Sequence, residues 1–161
     1  MAIAWNSKLD TGIDVIDDQH RRIVAYVNQL EAARLAGDRV VVGQVIEQLV
    51  DYTQSHFGFE EAMMEQANYK FLKPHQKVHE LFIKRVTAFT VRAAKGEDIA
   101  EELQGTLSTW LINHIGSEDR DYAVPVKQMM LGDQQVRASQ ETGKPRGFLA
   151  GLLGRFFRSG A

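Results

Sequence analysis

VIEQLVDYTQSHFGFEEAM, from Val45 to Met63, sets Val45, Leu49, Tyr52, His56, Phe59 and Met63 at alternating steps of four and three residues. A helix completes a turn every 3.6 residues, so that spacing gathers the six on one face. The stripe reads as the buried side of a long helix with a histidine set into it. Glu60, four residues after His56, projects from the same face. A carboxylate on an apolar stripe needs compensation, because burying it as a bare charge costs several kcal/mol.

Working outward, the same periodicity defines four helices and no strand pattern competes. The first runs from about Asp17 to Ala36, with Ile23, Val24, Val27 and Leu30 sharing a face with His20, and Gly37-Asp38 ends it. The second runs from about Asp38, a plausible N-cap, to Gln66. After Asn68-Tyr69-Lys70 a third continues to about Lys95, with Pro74 in its first turn and His75, His79, Phe82, Val86 and Phe89 as its stripe. Gly96 closes it. The fourth starts near Asp98, a second candidate cap, carries Leu103, Leu107, Trp110 and His114 inward, and is expected to stop at Pro125. Short connections make successive helices antiparallel, so the fold class is all-α, an up-down-up-down four-helix bundle.

In that topology all five histidines of the chain, His20, His56, His75, His79 and His114, fall in one layer, together with Glu60 and Asp119. A lone histidine on an apolar stripe is usually a satisfied core residue. Here every helix supplies one, on its own inward stripe and at the same bundle end, which points to a two-metal centre. The i, i+4 pairs His56/Glu60 and His75/His79 each offer two donors from one face. His114 to Asp119 is an i, i+5 step that turns roughly 140° around an ideal helix. Asp119 therefore reaches the same point only if the helix is locally widened, which Gly116 would ease. Spacing alone leaves Glu118 as a rival to Asp119 and Glu61 as a rival to Glu60.

The chain holds 161 residues, 44% hydrophobic and 25% charged, with a formal charge of −2. That balance suits one globular domain with an appendage and does not favour nucleic acid. The absence of cysteine excludes thiolate metal sites and a catalytic thiol, so a metal must be held by nitrogen and oxygen. The opening MAIAWNSKLD does not read as a secretory signal and no stretch is apolar for long enough to span a bilayer. The expected location is cytoplasmic, or peripheral at the membrane if the tail binds lipid.

The set His20, His56-x3-Glu60, His75-x3-His79 and His114-x4-Asp119 resembles the hemerythrins, specifically their bacterial single-domain type. The resemblance covers about residues 1–130. It includes Trp5, the approach from Gly12-Ile13 to Asp17-x2-His20, and the segment Trp110-Leu111-x-Asn113-His114-Ile115. It implies two iron ions bridged by Glu60, Asp119 and an oxo or hydroxo group, and it prefers Asp119 over Glu118. It further implies that His75, His79 and His114 complete one six-coordinate iron, while His20 and His56 leave the other five-coordinate. Dioxygen would bind there as hydroperoxide, for storage, delivery or sensing, without enzymatic turnover; an enzyme or sensor acting on peroxide or nitric oxide is the alternative. Ile23, Phe59, Trp110 and Leu111 are candidates for a dry pocket wall. Gly116 stands where oxygen-carrying members have a bulky apolar residue, which implies a more open pocket and faster autoxidation.

The bundle is expected over 1–131 and a linker with a short basic amphipathic helix over 132–161. From Gly132 to Pro145 the sequence is polar; Gly147 to Arg158 then groups Phe148, Leu149, Leu152, Leu153, Phe156 and Phe157 on about half a helical circumference. Residues 132–161 hold five basic and two acidic side chains, a balance of +3 that leaves −5 on the body. Helix 147–158 is about 18 Å long, too short to cross a membrane. It suits a membrane surface, a protein partner, or a berth on its own bundle.

Overall fold

The computed structural model describes residues 2–139 and 148–157. A short 3-10 turn, Ser7–Leu9, precedes α1 (Asp14–Leu35), α2 (Arg39–Gln66), α3 (Leu72–Ala94) and α4 (Ala100–His114). One π-helical turn, Ile115–Asp119, joins α4 to α5 (Arg120–Ser139), and α6 (Phe148–Phe156) completes the described elements. α1 packs on α2 and α4, and α2 on α3, which is the four-helix bundle that the periodicity predicts.

The helix ends follow local chemistry. α1 begins three residues before Asp17, whose carboxylate instead reaches back to accept from the Thr11 and Gly12 backbone N–H groups at 2.8 and 3.1 Å and from the Thr11 hydroxyl at 2.7 Å. Gly37 and Gly96 close α1 and α3 at φ +70° and +86°, a conformation costly for a residue with a Cβ. Asp38 caps α2, its Oδ1 accepting from the Val41 N–H at 3.0 Å. Asp98, the expected cap of α4, lies one residue outside the observed one; Ile99 takes that place without a side-chain cap, and Asp98 accepts from the Ala100 N–H at 3.4 Å.

Pro125 does not end the helix. It lies inside α5, flanked by Tyr122, Ala123 and Val126, all buried at 2% exposure or less. A mid-helix proline costs about 3 kcal/mol, and burying three such neighbours offsets it. The carbonyl that Pro125 leaves without a helical donor belongs to Asp121, an exposed residue. The linker expected from Gly132 is correspondingly still helix as far as Ser139, and its remainder, 140–147, lies outside the described residues.

Two apolar clusters fill the bundle. One centres on Val27, Leu30, Leu49, Val86, Leu103 and Leu107. The other joins Ile13, Ile16, Phe59, Met63, Met64, Tyr122 and Val126, and α6 adds Leu152 to it. On α1, His20 stands in sequence between the residues of one cluster and those of the other, and on α2 the change of cluster comes just after His56, between Phe57 and Phe59. α6 rests on α2, so the apolar face of the tail is occupied by its own bundle, one of the three berths expected of it. No described helix is long and apolar enough to cross a membrane.

Candidate metal centre

Each bundle helix brings its donors to one buried point. α1 supplies His20, α2 His56 and Glu60, α3 His75 and His79, α4 His114, and the π turn Asp119; all seven are at most 4% exposed. The π turn is the local widening that an i, i+5 pair requires. It brings Asp119 into the layer and leaves Glu118 half-exposed, with its Oε2 3.6 Å from His114 Nδ1 on the outer side. A Cβ at Gly116 would meet nothing within 4 Å, so the widening does not depend on glycine for space.

The donors separate into two groups. Glu60, His75, His79, His114 and Asp119 can surround one ion, and His20, His56 and Glu60 a second. Glu60 turns Oε1 toward His20 and His56, each Nε2 at 3.5 Å, and Oε2 toward His79 Nε2 at 3.4 Å. Asp119 turns Oδ2 toward His20 Nε2 at 3.3 Å and Oδ1 toward His114 and His75 Nε2 at 3.1 and 3.5 Å. Both carboxylates thus look to both groups.

Residues outside this layer orient the rings. Gln19 Oε1 lies 2.8 Å from His56 Nδ1, and Glu61 Oε1 lies 2.9 Å from His79 Nδ1 while its Oε2 accepts from Gln76 at 3.0 Å. A proton held on Nδ1 by such an acceptor leaves the Nε2 lone pair for a metal. Glu61, a rival to Glu60 on spacing, therefore serves His79 from outside. The Tyr122 hydroxyl, fully buried, donates to Glu60 Oε1 at 2.5 Å. Phe57 stacks on His79 at 3.7 Å and Trp110 on His114 at 4.2 Å, ring centroid to centroid. Sequence reasoning passed over Gln19, Phe57 and Tyr122. Tyr122 follows Asp119 by three residues, a helical spacing that could have drawn attention to it.

The charge states show what the cluster lacks. Burial lowers the pKa of His56 to about 3 and of His75 to about 4, and holds His114 well down. Burial also acts against His20 and His79, yet Asp119 and Glu60 beside His20, and Glu60 and Glu61 beside His79, lift each to about 9. Burial and the nearby Glu60 charge raise Asp119 to about 7. Without metal, two protonated imidazoles thus stand where positive charge is needed. Even so, both His20 nitrogens, Glu60 Oε2 and both Asp119 oxygens are buried without a hydrogen-bond partner. Three imidazole Nε2 atoms also crowd at 3.0 Å along His75, His79 and His114. A pair of cations among these nitrogens and oxygens fits that donor set.

Beside the two-histidine group lies an apolar cavity of about 10 Å³, the room of one water-sized molecule. Ile23, Trp110 and Leu111 line it, with Phe57, Leu107 and Thr53 among the others. Phe59 and Gly116 do not. Phe59 packs in the second apolar cluster and Gly116 is exposed. On α4 the cavity walls Leu107, Trp110 and Leu111 precede His114 and Gly116 follows it; on α2 the walls run from Leu49 and Thr53 to Phe57, and Phe59 turns instead to the second apolar cluster.

The chain is similar to known proteins. The chain is 46% identical over 155 residues to a bacteriohemerythrin of Stenotrophomonas maltophilia (strain R551-3), across 96% of this chain and 97% of that one. A bacteriohemerythrin of Clostridium acetobutylicum is 28% identical over 124 residues, 73% of this chain but 96% of its own. A crystal structure of wild-type hemerythrin superposes with a TM-score of 0.74 at 25% identity, covering 78% of this chain and 98% of that one. Residues 11–124, a span that contains all seven converging side chains, match the Hemerythrin HHE cation binding domain. By its bundle, its buried donor layer and these relatives, the chain belongs to the hemerythrin family.

Proposed function

We propose that the chain binds dioxygen reversibly, for storage, delivery or sensing, at a non-heme di-iron centre held by His20, His56, Glu60, His75, His79, His114 and Asp119. The observation that carries this is the unequal division of the donors. Three histidines gather with both carboxylates on one side, and two histidines, His20 and His56, share Glu60 on the other. The two-histidine side would therefore keep a vacancy, and both of its histidines, with His114 alone from the other group, border the small apolar cavity. When bound, two iron ions joined by an oxo or hydroxo group supply the two electrons that reversible oxygen binding needs.

The chain's own residues do the rest. Glu60 and Asp119 hold both sides at a fixed separation, each through its two oxygens. Gln19 and Glu61 fix the His56 and His79 rings. Ile23, Leu107 and Leu111 exclude water from the vacancy. The non-ligating residues described around that cavity are apolar or aromatic apart from Thr53, which suits a dry binding pocket.

Metal analysis of chain loaded with ferrous iron under anaerobic conditions tests the centre. Two irons per chain are expected, and Asp119→Ala should hold fewer. A single iron, or equal loading in that variant, contradicts the assignment.

A further inference from the structure

Gly58 lies in the middle of α2, where glycine weakens a helix by about 1 kcal/mol relative to alanine. Its use is steric. A Cβ built there would sit 2.7 Å from Phe156 Cε1, and the three nearest atoms all belong to that ring. The missing side chain is the seat of Phe156. The aromatic neighbours complete the lock: Phe59 meets Phe156 and Phe157 edge-on at 6.3 and 5.8 Å, and Phe157 also meets Tyr52 at 5.4 Å. Leu152 is only 7% exposed.

This contact lies along the turn of α2 that bears His56 and Glu60. Leu153, Arg155, Phe156 and Phe157 form one wall of an open groove of about 1090 Å³ whose other side includes Asp18, Gln19, Asp51, Tyr52 and Ser55. Gln19 connects the groove to the centre, since its Oε1 holds His56 Nδ1 at 2.8 Å. The basic tail also brings Arg155 to a groove that carries Asp18 and Asp51, as its opposite charge to the body would favour. Removing α6 would uncover Phe59 and Tyr52 and let water compete for Gln19 beside the two-histidine side.

We infer that α6 is a wall of the metal centre, keyed into place by Phe156 on Gly58, and that its docking steadies the His56–Glu60 turn and slows exchange with solvent there. This rests on the proposed metal centre but not on what the centre binds. A bacteriohemerythrin that aligns with only 73% of this chain over 96% of its own length is correspondingly shorter.

The test uses the full chain as wild type, Gly58→Leu and Phe156→Ala. Gly58→Leu fills the seat while improving the helix propensity of α2, and Phe156→Ala empties it without touching α2. An effect common to both is thus not damage to α2. Hydrogen exchange over residues 149–157 should quicken about tenfold or more in both variants. Exchange over residues 53–60 in the metal-free chain should quicken with it, and a ferrous chelator should strip iron about tenfold faster. Unchanged exchange at 149–157 in both variants overturns the seat. Freed α6 with unchanged exchange at 53–60 and unchanged iron loss overturns the wall. These readouts involve no oxygen, so a chain that passes them but fails to bind oxygen refutes the proposed function and leaves this inference standing.

Discussion

Glu60 and Asp119 share out their oxygens in the same way: one oxygen of each approaches His20, at 3.5 and 3.3 Å, and the other approaches the three-histidine group, at 3.4 Å from His79 and 3.1 Å from His114. They come from different helices, α2 and the π turn after α4, so the pairing fixes two halves of the bundle to one another. A carboxylate that serves two sites cannot be lost without disturbing both. Asp119→Asn should therefore lower the iron content below two per chain, whereas Glu118→Gln, altered at a half-exposed residue, should keep it. Elemental analysis of the two purified variants checks this.

Ring orientation depends on residues that touch no metal. Gln19→Leu and Glu61→Leu each remove the acceptor at a histidine Nδ1, at His56 and His79 respectively. Such losses typically weaken metal affinity about 10- to 100-fold. Competition against a chelator should show this for both, with Glu61→Gln less affected because it retains an acceptor oxygen.

Tyr122→Phe deletes one oxygen from a fully buried side chain that donates to Glu60. A hydrogen bond to a charged group contributes about 1.5–3 kcal/mol, and for a chain of this length each kcal/mol moves Tm by about 2–4 °C. The metal-free variant should melt roughly 3–12 °C below wild type by calorimetry. An unchanged Tm would mean that the hydroxyl does not hold Glu60.

The raised His20 and His79 values give a pH signature to the metal-free chain. Folded-state values of about 9 against 6.5 mean that each histidine contributes stability that is fully present below pH 6.5 and lost as pH rises through 9. Asp119, raised to about 7, adds a loss that ends sooner, on rising through pH 7. The lowered His56 and His75 act oppositely, but only below pH 6.5. Metal-free Tm should therefore fall between pH 7 and 9. Because metal must displace the His20 and His79 protons, loading near pH 7.5 should release protons, seen as a dependence of binding heat on buffer ionisation enthalpy. Equal heats in all buffers would contradict the charge assignment.

The stripe from Val45 to Met63 revealed the bundle because a 3.6-residue period survives any detail of packing. The histidines were legible for the same reason: each lies on such a stripe, and antiparallel order puts them in one layer. What was not legible depends on tertiary contact. Pro125 marks a stop only until Tyr122, Ala123 and Val126 are seen to be buried around it. Phe59 and Gly116 lie close to ligands in sequence, but the cavity opens toward the preceding turns of their helices. Gln19 carries no spacing signal of its own, and the three-residue step from Asp119 to Tyr122 does not point to Glu60; only proximity to His56 and Glu60 gives the two their roles. The berth of α6 needed Gly58, which in sequence is merely a weak helix former.

The most direct test of the account is an optical titration of anaerobic, diferrous-loaded chain with oxygen. The account predicts a charge-transfer band that saturates at one dioxygen per two irons and disappears when oxygen is removed, over repeated cycles. A band that never reverses, a stoichiometry of one iron per dioxygen, or a chain that takes only spectrally silent zinc would contradict it.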